Sequence, residues 1–203
     1  MTQWKTVAIL TWMALTSTQS QSIVVAAQAV PEQPACAGIE LKQANAALVD
    51  ARKALDEIIT ALNSPKADDV RRLETWFGVN SSAGATKIKR TFESARGFAK
   101  GVTFRCSAST NMKIGDVYAY VRPNKSFAVV LGSFFFTAGE SGFDSKLGTI
   151  IHELTHFVLV GATKDNAYGV AGARKLAISK PAAAQENADN FQYFVEATIF
   201  KLR

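Results

Sequence analysis

The chain has 203 residues, 48% of them hydrophobic, and a formal charge of +6. That length holds one core of single-domain size, and no internal repeat, low-complexity tract or linker divides it. The basic residues are scattered, and their longest cluster, Lys87-Ile88-Lys89-Arg90, falls on an expected helix. The charge therefore reads as a solvated face and excludes a nucleic-acid partner from the expected ones.

Residues 1–29 read as a secretory leader. Lys5 gives a weakly positive start, Val7 to Leu15 a short apolar stretch, and Ala27-Gln28-Ala29 a small-residue cleavage site. Polar residues from Thr16 to Ser22 interrupt the apolar run, which argues against an anchor of about 20 consecutive apolar residues. The expected product is secreted or periplasmic, is not inserted in a membrane once the leader is removed, and is a monomer. Two cysteines follow the leader, Cys36 and Cys106. An even count in an exported chain suggests one disulfide, the alternative being two free buried thiols. The bond would tie the first mature helix to a strand and stabilise by about 4 kcal/mol through loop closure.

After a loose lead-in from Pro31 to Pro34, Leu41, Ala44, Leu48, Ala51, Leu55, Ile58 and Leu62 recur at three- and four-residue steps. That stripe predicts a long amphipathic helix, ended by Asn63-Ser64-Pro65. Asp68 to Phe77 reads as a second helix stopped at Gly78, with Trp76 and Phe77 in the core. A small-residue loop, Asn80 to Ala85, leads to a third helix striped by Ile88, Phe92, Ala95 and Ala99. Val102 to Cys106, Val117 to Val121 and Phe127 to Leu131 read as short strands, with Pro123-Asn124 turning between the last two. Phe134-Phe135-Phe136 reads as core, with a hydrophobic subsite wall as the alternative.

Thr149 to Gly169 carries the chemistry. His152, Glu153 and His156 stand in the order H-E-x-x-H, and His152 and His156 are the chain's two histidines. On a helix, residues four apart share a face, so both imidazoles can grip one Zn²⁺ while the glutamate acts on water. Asp144 and Ser145 are N-cap candidates; Ile150, Ile151, Leu154, Phe157, Val158 and Val160 supply apolar packing; Gly161 offers a stop. With no third histidine, the remaining ligand must be a carboxylate or, failing that, a cysteine. The nearest downstream carboxylate is Asp165, and Gly161 lets the chain turn back toward the metal. Tyr168 follows, with a phenol able to donate to a developing oxyanion. The plainer readings are a solvated loop acid and a packing aromatic.

Val170 to Ser179 reads as a helix stopped at Pro181, and a last helix runs from about Glu186 to Phe200. Asp189 on it is costly if buried alone, yet useful in a pocket receiving a cationic side chain. A helix-capping or solvated acid is the plainer reading. These elements predict one α+β unit: helices first, a small antiparallel or mixed sheet, then the H-E-x-x-H helix and two more. The cleft is expected between the sheet side and the C-terminal helices.

HELTH followed by GATKDNAYG resembles the aspzincin metalloendopeptidases, the group of deuterolysin and the peptidyl-Lys metalloendopeptidases, whose pattern is H-E-x-x-H and then G-T-x-D-x-x-Y-G. Gly161 to Asp165 departs modestly from G-T-x-D while the ligand spacing is kept. The likeness extends upstream to TWFG, VTFRC, YAYVRPN and DSKLGTIIHE, and downstream to NADNFQYF. It implies a zincin-like, mainly helical single domain with a small sheet, spanning residues 30–203. It implies His152, His156 and Asp165 as zinc ligands, Glu153 as general base and Tyr168 as the transition-state tyrosine. It also supports the Cys36–Cys106 pairing. In Lys-specific members an acid at Asp189, helped by a second one turn along, looks like the base of the S1′ pocket. This chain has Gln192 there, with Glu196 further on.

The expected function is thus a secreted zinc endopeptidase acting on proteins or peptides, with Lys at P1′ as the suggested preference. Two alternatives stand beside it: a zinc amidase acting on cell-wall peptides, and a non-catalytic exported helical module.

Overall fold

A computed structural model describes residues 33–107, 117–124 and 127–203. The expected leader, residues 1–29, lies outside the described residues. Helix α1 (Gly38–Asn63) forms on the alanine- and leucine-rich stripe, burying Ala44, Ala51, Leu55, Ile58 and Leu62. It packs on α3 (Ser82–Phe98) and on α5 (Lys146–His156). Helix α2 (Ala67–Phe77) starts where Asp69 accepts from the Lys66 amide at 2.9 Å. It ends at Gly78 in the left-handed region, φ 63°. A Cβ there would come within 2.4 Å of the Ala177 carbonyl, so only glycine allows this close crossing. Helix α3 begins at Ser82, inside the stretch expected as loop, because the Ser81 hydroxyl caps the Gly84 amide.

Three strands form one mixed sheet in the order β1 (Thr103–Cys106), β3 (Ala128–Leu131), β2 (Ala119–Val121). β1 runs parallel to β3, with Thr103 opposite Ala128, and β2 runs antiparallel, with Tyr120 opposite Val130. Residues 34–36 lie along β1: the Cys36 amide donates to Phe104 and the Cys106 amide to Pro34. The Cys36–Cys106 disulfide clamps that contact across a sequence separation of 70. On the other side, β2 has one strand partner among the described residues, and its second edge pairs with none of them.

Short helix α4 (Ser133–Thr137) splits the three phenylalanines. Phe135 is fully buried, whereas Phe134 is 44% exposed and borders the cleft, so core and wall are each partly realised. Helix α6 (Gly169–Ser179) follows the expected bounds closely. Pro181 does not simply end it. It opens a further short helix, α7 (Pro181–Ala184), where its missing N–H costs nothing.

The last helix, α8 (Ala188–Ile199), is buried at every residue from Ala188 to Thr198. It packs on α5, α2 and α6. Phe191 and Phe194 meet Phe77 and Phe92 with ring centroids 4.9–5.7 Å apart. Such aromatic pairs contribute about 0.5–1.5 kcal/mol each beyond their area. The fold is mainly helical with a small sheet, and its centre is the α5–α8 pair that carries the histidines and their supports.

Candidate active site

Helix α5 is capped by Ser145, whose hydroxyl accepts from the Gly148 amide at 3.1 Å. The buried Glu196 carboxylate accepts from the Ser145 amide at 2.9 Å, the Ser145 hydroxyl at 2.7 Å and the Asp144 amide at 3.2 Å. An anion at this end of a helix is favoured by the exposed amides and the macrodipole. Gly148 is required for it, since a Cβ there would sit 1.8 Å from Glu196 Oε1. Burial nevertheless pushes the Glu196 carboxyl up to about 7.

The helix ends at His156, five residues before Gly161. Phe157 turns into extended backbone and its carbonyl gathers the amides of Val160, Gly161 and Ala162. The expected packing of Val158 is therefore not realised; it is 55% exposed, and Leu159 is 72% exposed. Apolar periodicity alone does not separate a last helical turn from a tight reversal. The reversal brings Thr163 back onto α5, its amide donating to the Thr155 carbonyl at 3.2 Å.

Asp165 arrives beside the histidines by this route. His152 Nε2 and His156 Nε2 lie 3.1 Å apart, and Asp165 Oδ1 lies 3.2 and 3.4 Å from them. A tetrahedral zinc with bonds of about 2.0–2.1 Å needs ligand atoms roughly 3.3 Å apart, so this donor set fits the ion. The outer nitrogens are anchored. His156 Nδ1 donates to the Thr163 carbonyl at 2.9 Å, and His152 Nδ1 donates to Asp189 Oδ1 at 2.9 Å. Both imidazoles thus turn Nε2 toward the common point, as ligand histidines do.

The same geometry governs protonation without a metal. Burial opposes a charge on His152, but hydrogen bonds to Asp165 and Asp189 outweigh it and push the ring up to about 10. Burial also opposes a charge on His156, and the bond to Asp165 again raises it. Hydrogen bonds from the two rings hold Asp165 well below the usual carboxylate range. Glu153 is raised by burial, partly offset by both histidines. Its Oε2 is buried with no hydrogen-bond partner among the described residues, which leaves an acceptor waiting for a ligand or water.

Tyr168 is 71% exposed at the cleft margin. Partial burial, then the charge of Asp165 and a hydrogen bond to it, raises its phenol above the ordinary value. Asp189 is 5% exposed on the cleft wall, with both oxygens engaged. Oδ1 serves His152, and Oδ2 accepts from the Gly169 amide at 2.6 Å, capping α6 beside Tyr168. Glu196, further along the helix, is sealed against the α5 N-terminus and does not line the cleft.

The cleft has a volume of about 750 Å³ and lies between β2, α5, the 163–169 segment and α8. Several of its supports carry no metal-binding signal in the sequence. Asn187 accepts from the Asn166 and Ala167 amides at 2.7 and 3.0 Å and donates to the Ala167 carbonyl at 3.0 Å, pinning the segment that delivers Asp165. Asn190 holds Asn187 and the carbonyls of Trp76 and Ala173. Asp144 and Tyr193 also reach the cleft. The NADN spelling at 187–190 was the one available hint, since three polar residues opening a helix are unusual where the helix is otherwise mostly apolar.

Comparison with known proteins places this architecture. The aspzincin family model, described as "Lysine-specific metallo-endopeptidase", matches residues 62–196. A peptidyl-Lys metalloendopeptidase of Pleurotus ostreatus is 36% identical over 162 residues, covering 79% of this chain and 94% of that protein. An extracellular protease of Aeromonas hydrophila is 38% identical over 130 residues, 63% of this chain, although the match spans 36% of that longer protein. A solved zinc peptidase from Grifola frondosa superposes with a TM-score of 0.71 at 32% identity, covering 80% of this chain and 98% of that one. Because the family match runs through both helices that build the cleft, this chain belongs to the aspzincins and is a zinc metalloendopeptidase.

Proposed function

We propose that this is a secreted endopeptidase in which His152, His156 and Asp165 hold the zinc, Glu153 is the general base, and Lys is preferred immediately after the cleaved bond. The convergence of three ligand atoms within 3.1–3.4 Å, beside a buried glutamate oxygen with no partner, carries the reading. Bound there, the ion supplies Lewis acidity, which acidifies water and polarises a carbonyl.

The chain's own residues do the rest. Glu153, raised by burial, takes a proton from the attacking water and later passes it to the leaving amine. Tyr168 donates its hydroxyl to the oxygen that gains charge as the carbonyl is attacked. The second edge of β2 (Ala119–Val121), which pairs with none of the described residues, lines the cleft and suits pairing with an extended substrate backbone. Asp189 orients His152, and its charge makes the cleft favourable for a cationic side chain. The names of the fungal relatives support the Lys preference. Secretion is supported by the extracellular Aeromonas relative and by the disulfide.

Digestion of a denatured protein mixture, with mass spectrometry of the products, tests the whole reading. Peptides should begin with Lys far above its natural frequency. Cleavage without that enrichment removes the Lys preference, and no cleavage by zinc-loaded protein removes the endopeptidase assignment.

A further inference from the structure

Among the described residues four carboxylates line the cleft: Asp144, Glu153, Asp165 and Asp189. Glu153 and Asp165 belong to the reacting end, and Asp189 is buried with both oxygens engaged. Asp144 differs. It is exposed, and it stands just before the α5 N-cap with φ 58°, a left-handed conformation uncommon for a residue with a side chain. Glu196 holds that backbone through the Asp144 and Ser145 amides. The Asp144 side chain is held as well. Oδ1 accepts from the Tyr193 hydroxyl at 2.8 Å and from Gln192 Nε2 at 3.4 Å, while Oδ2 makes no hydrogen bond among the described residues.

Gln192 therefore bears on charge as well as on packing. An amide at this position adds no negative charge to the cleft, and its Nε2–H points at the carboxylate that does. Tyr193 and Gln192 both donate to Oδ1 of Asp144, which leaves Oδ2 free to accept from an incoming donor. Asp144 stands before the α5 N-cap and His152 within the helix, and both line the same cleft as Gln192 and Tyr193. The aromatic ring of Tyr193 borders the same space and offers a surface to the alkyl stem.

We propose that Asp144 is a specificity-determining residue of this enzyme, its carboxylate receiving the ammonium group of the substrate side chain in a pocket completed by Gln192 and Tyr193. The assignment rests on the Lys preference proposed above.

Two peptides, identical except for Lys or its uncharged isostere norleucine after the cleaved bond, provide the test. The quantity read is the ratio of their kcat/KM values. The zinc-loaded wild type should favour Lys by a large factor. Asp144→Asn, which tolerates the left-handed backbone, should lower the ratio at least tenfold, and Asp144→Gly, free at that φ, should do the same. Adding Gln192→Glu to Asp144→Asn should recover part of the ratio by restoring a carboxylate to the pocket. A ratio within twofold of wild type in either Asp144 variant overturns the proposal while leaving the Lys preference intact. A wild-type ratio near one removes the Lys preference, and the role of Asp144 with it.

Discussion

Helices α5 and α8 lie against each other and split the work of the site. α5 supplies His152, Glu153 and His156, whose types announce their chemistry. α8 supplies Asp189, Asn190, Gln192 and Glu196, preceded by Asn187. All are buried, and they bond to other elements rather than to each other alone. The difference is one of reach. A ligand or base acts through its own atoms, whereas a support acts through the atom it holds, so changes on α5 should strike turnover and changes on α8 should strike metal affinity or stability.

The sharpest break comes on α5. Glu153→Gln should lower kcat by about 10⁴-fold, the upper range for a lost acid–base group. Zinc content by atomic spectrometry should stay stoichiometric; full turnover in that variant would sink the assigned role. Tyr168→Phe, at the cleft margin, should lower kcat by about 10²-fold, the range for one lost oxyanion donor, with KM little changed. A change in KM alone would make Tyr168 a binding residue instead.

On α8 the expected signature moves to the metal. Asp189→Asn keeps the shape but removes the charged acceptor of His152 Nδ1–H, so zinc affinity should fall about 10- to 100-fold in competition with a chelator. Excess zinc should recover most of the turnover; failure to recover it would place Asp189 in the chemistry itself.

An effect on stability alone, with turnover unchanged, belongs to Glu196. Its folded pKa is raised from 4.5 to about 7, so its contribution to stability is fully present below about pH 4.5 and is lost as pH rises through about 7. The stability of the wild type minus that of Glu196→Gln should therefore decline between about pH 5 and pH 8, by up to roughly 3 kcal/mol. A flat difference in denaturant melts would show that the helix N-terminus and Ser145 already offset the burial.

Legibility follows the same division. The long stripe of α1 and the paired Trp76 and Phe77 were readable because apolar periodicity maps directly onto one buried face. The clustering of His152, His156 and Asp165 beside Glu153 was readable because metal and acid–base chemistry admit few residue types. The α8 supports were opaque. Asn187, Asn190 and Glu196 carry no local signal of their burial, which depends on α2, α5 and α6 arriving from distant parts of the chain. The end of α5 was misjudged for a related reason, since the reversal after His156 is stabilised by Thr163 docking on Thr155 and by a core contact of Phe157 with Phe98 at 4.4 Å.

By itself, then, the order of residues determined what the protein can do chemically: two imidazoles one turn apart with a glutamate between them, an aspartate within reach, and a disulfide-forming pair. Only the packed structure decided how that chemistry is held and aimed. It closed Asp165 onto the histidines, buried Asp189 behind His152, and set Asp144 on the cleft lining beside Gln192 and Tyr193. The reason is that donor identity is a local property of a side chain. Burial and hydrogen-bond partnership are properties of several segments at once, and no single stretch of sequence contains them.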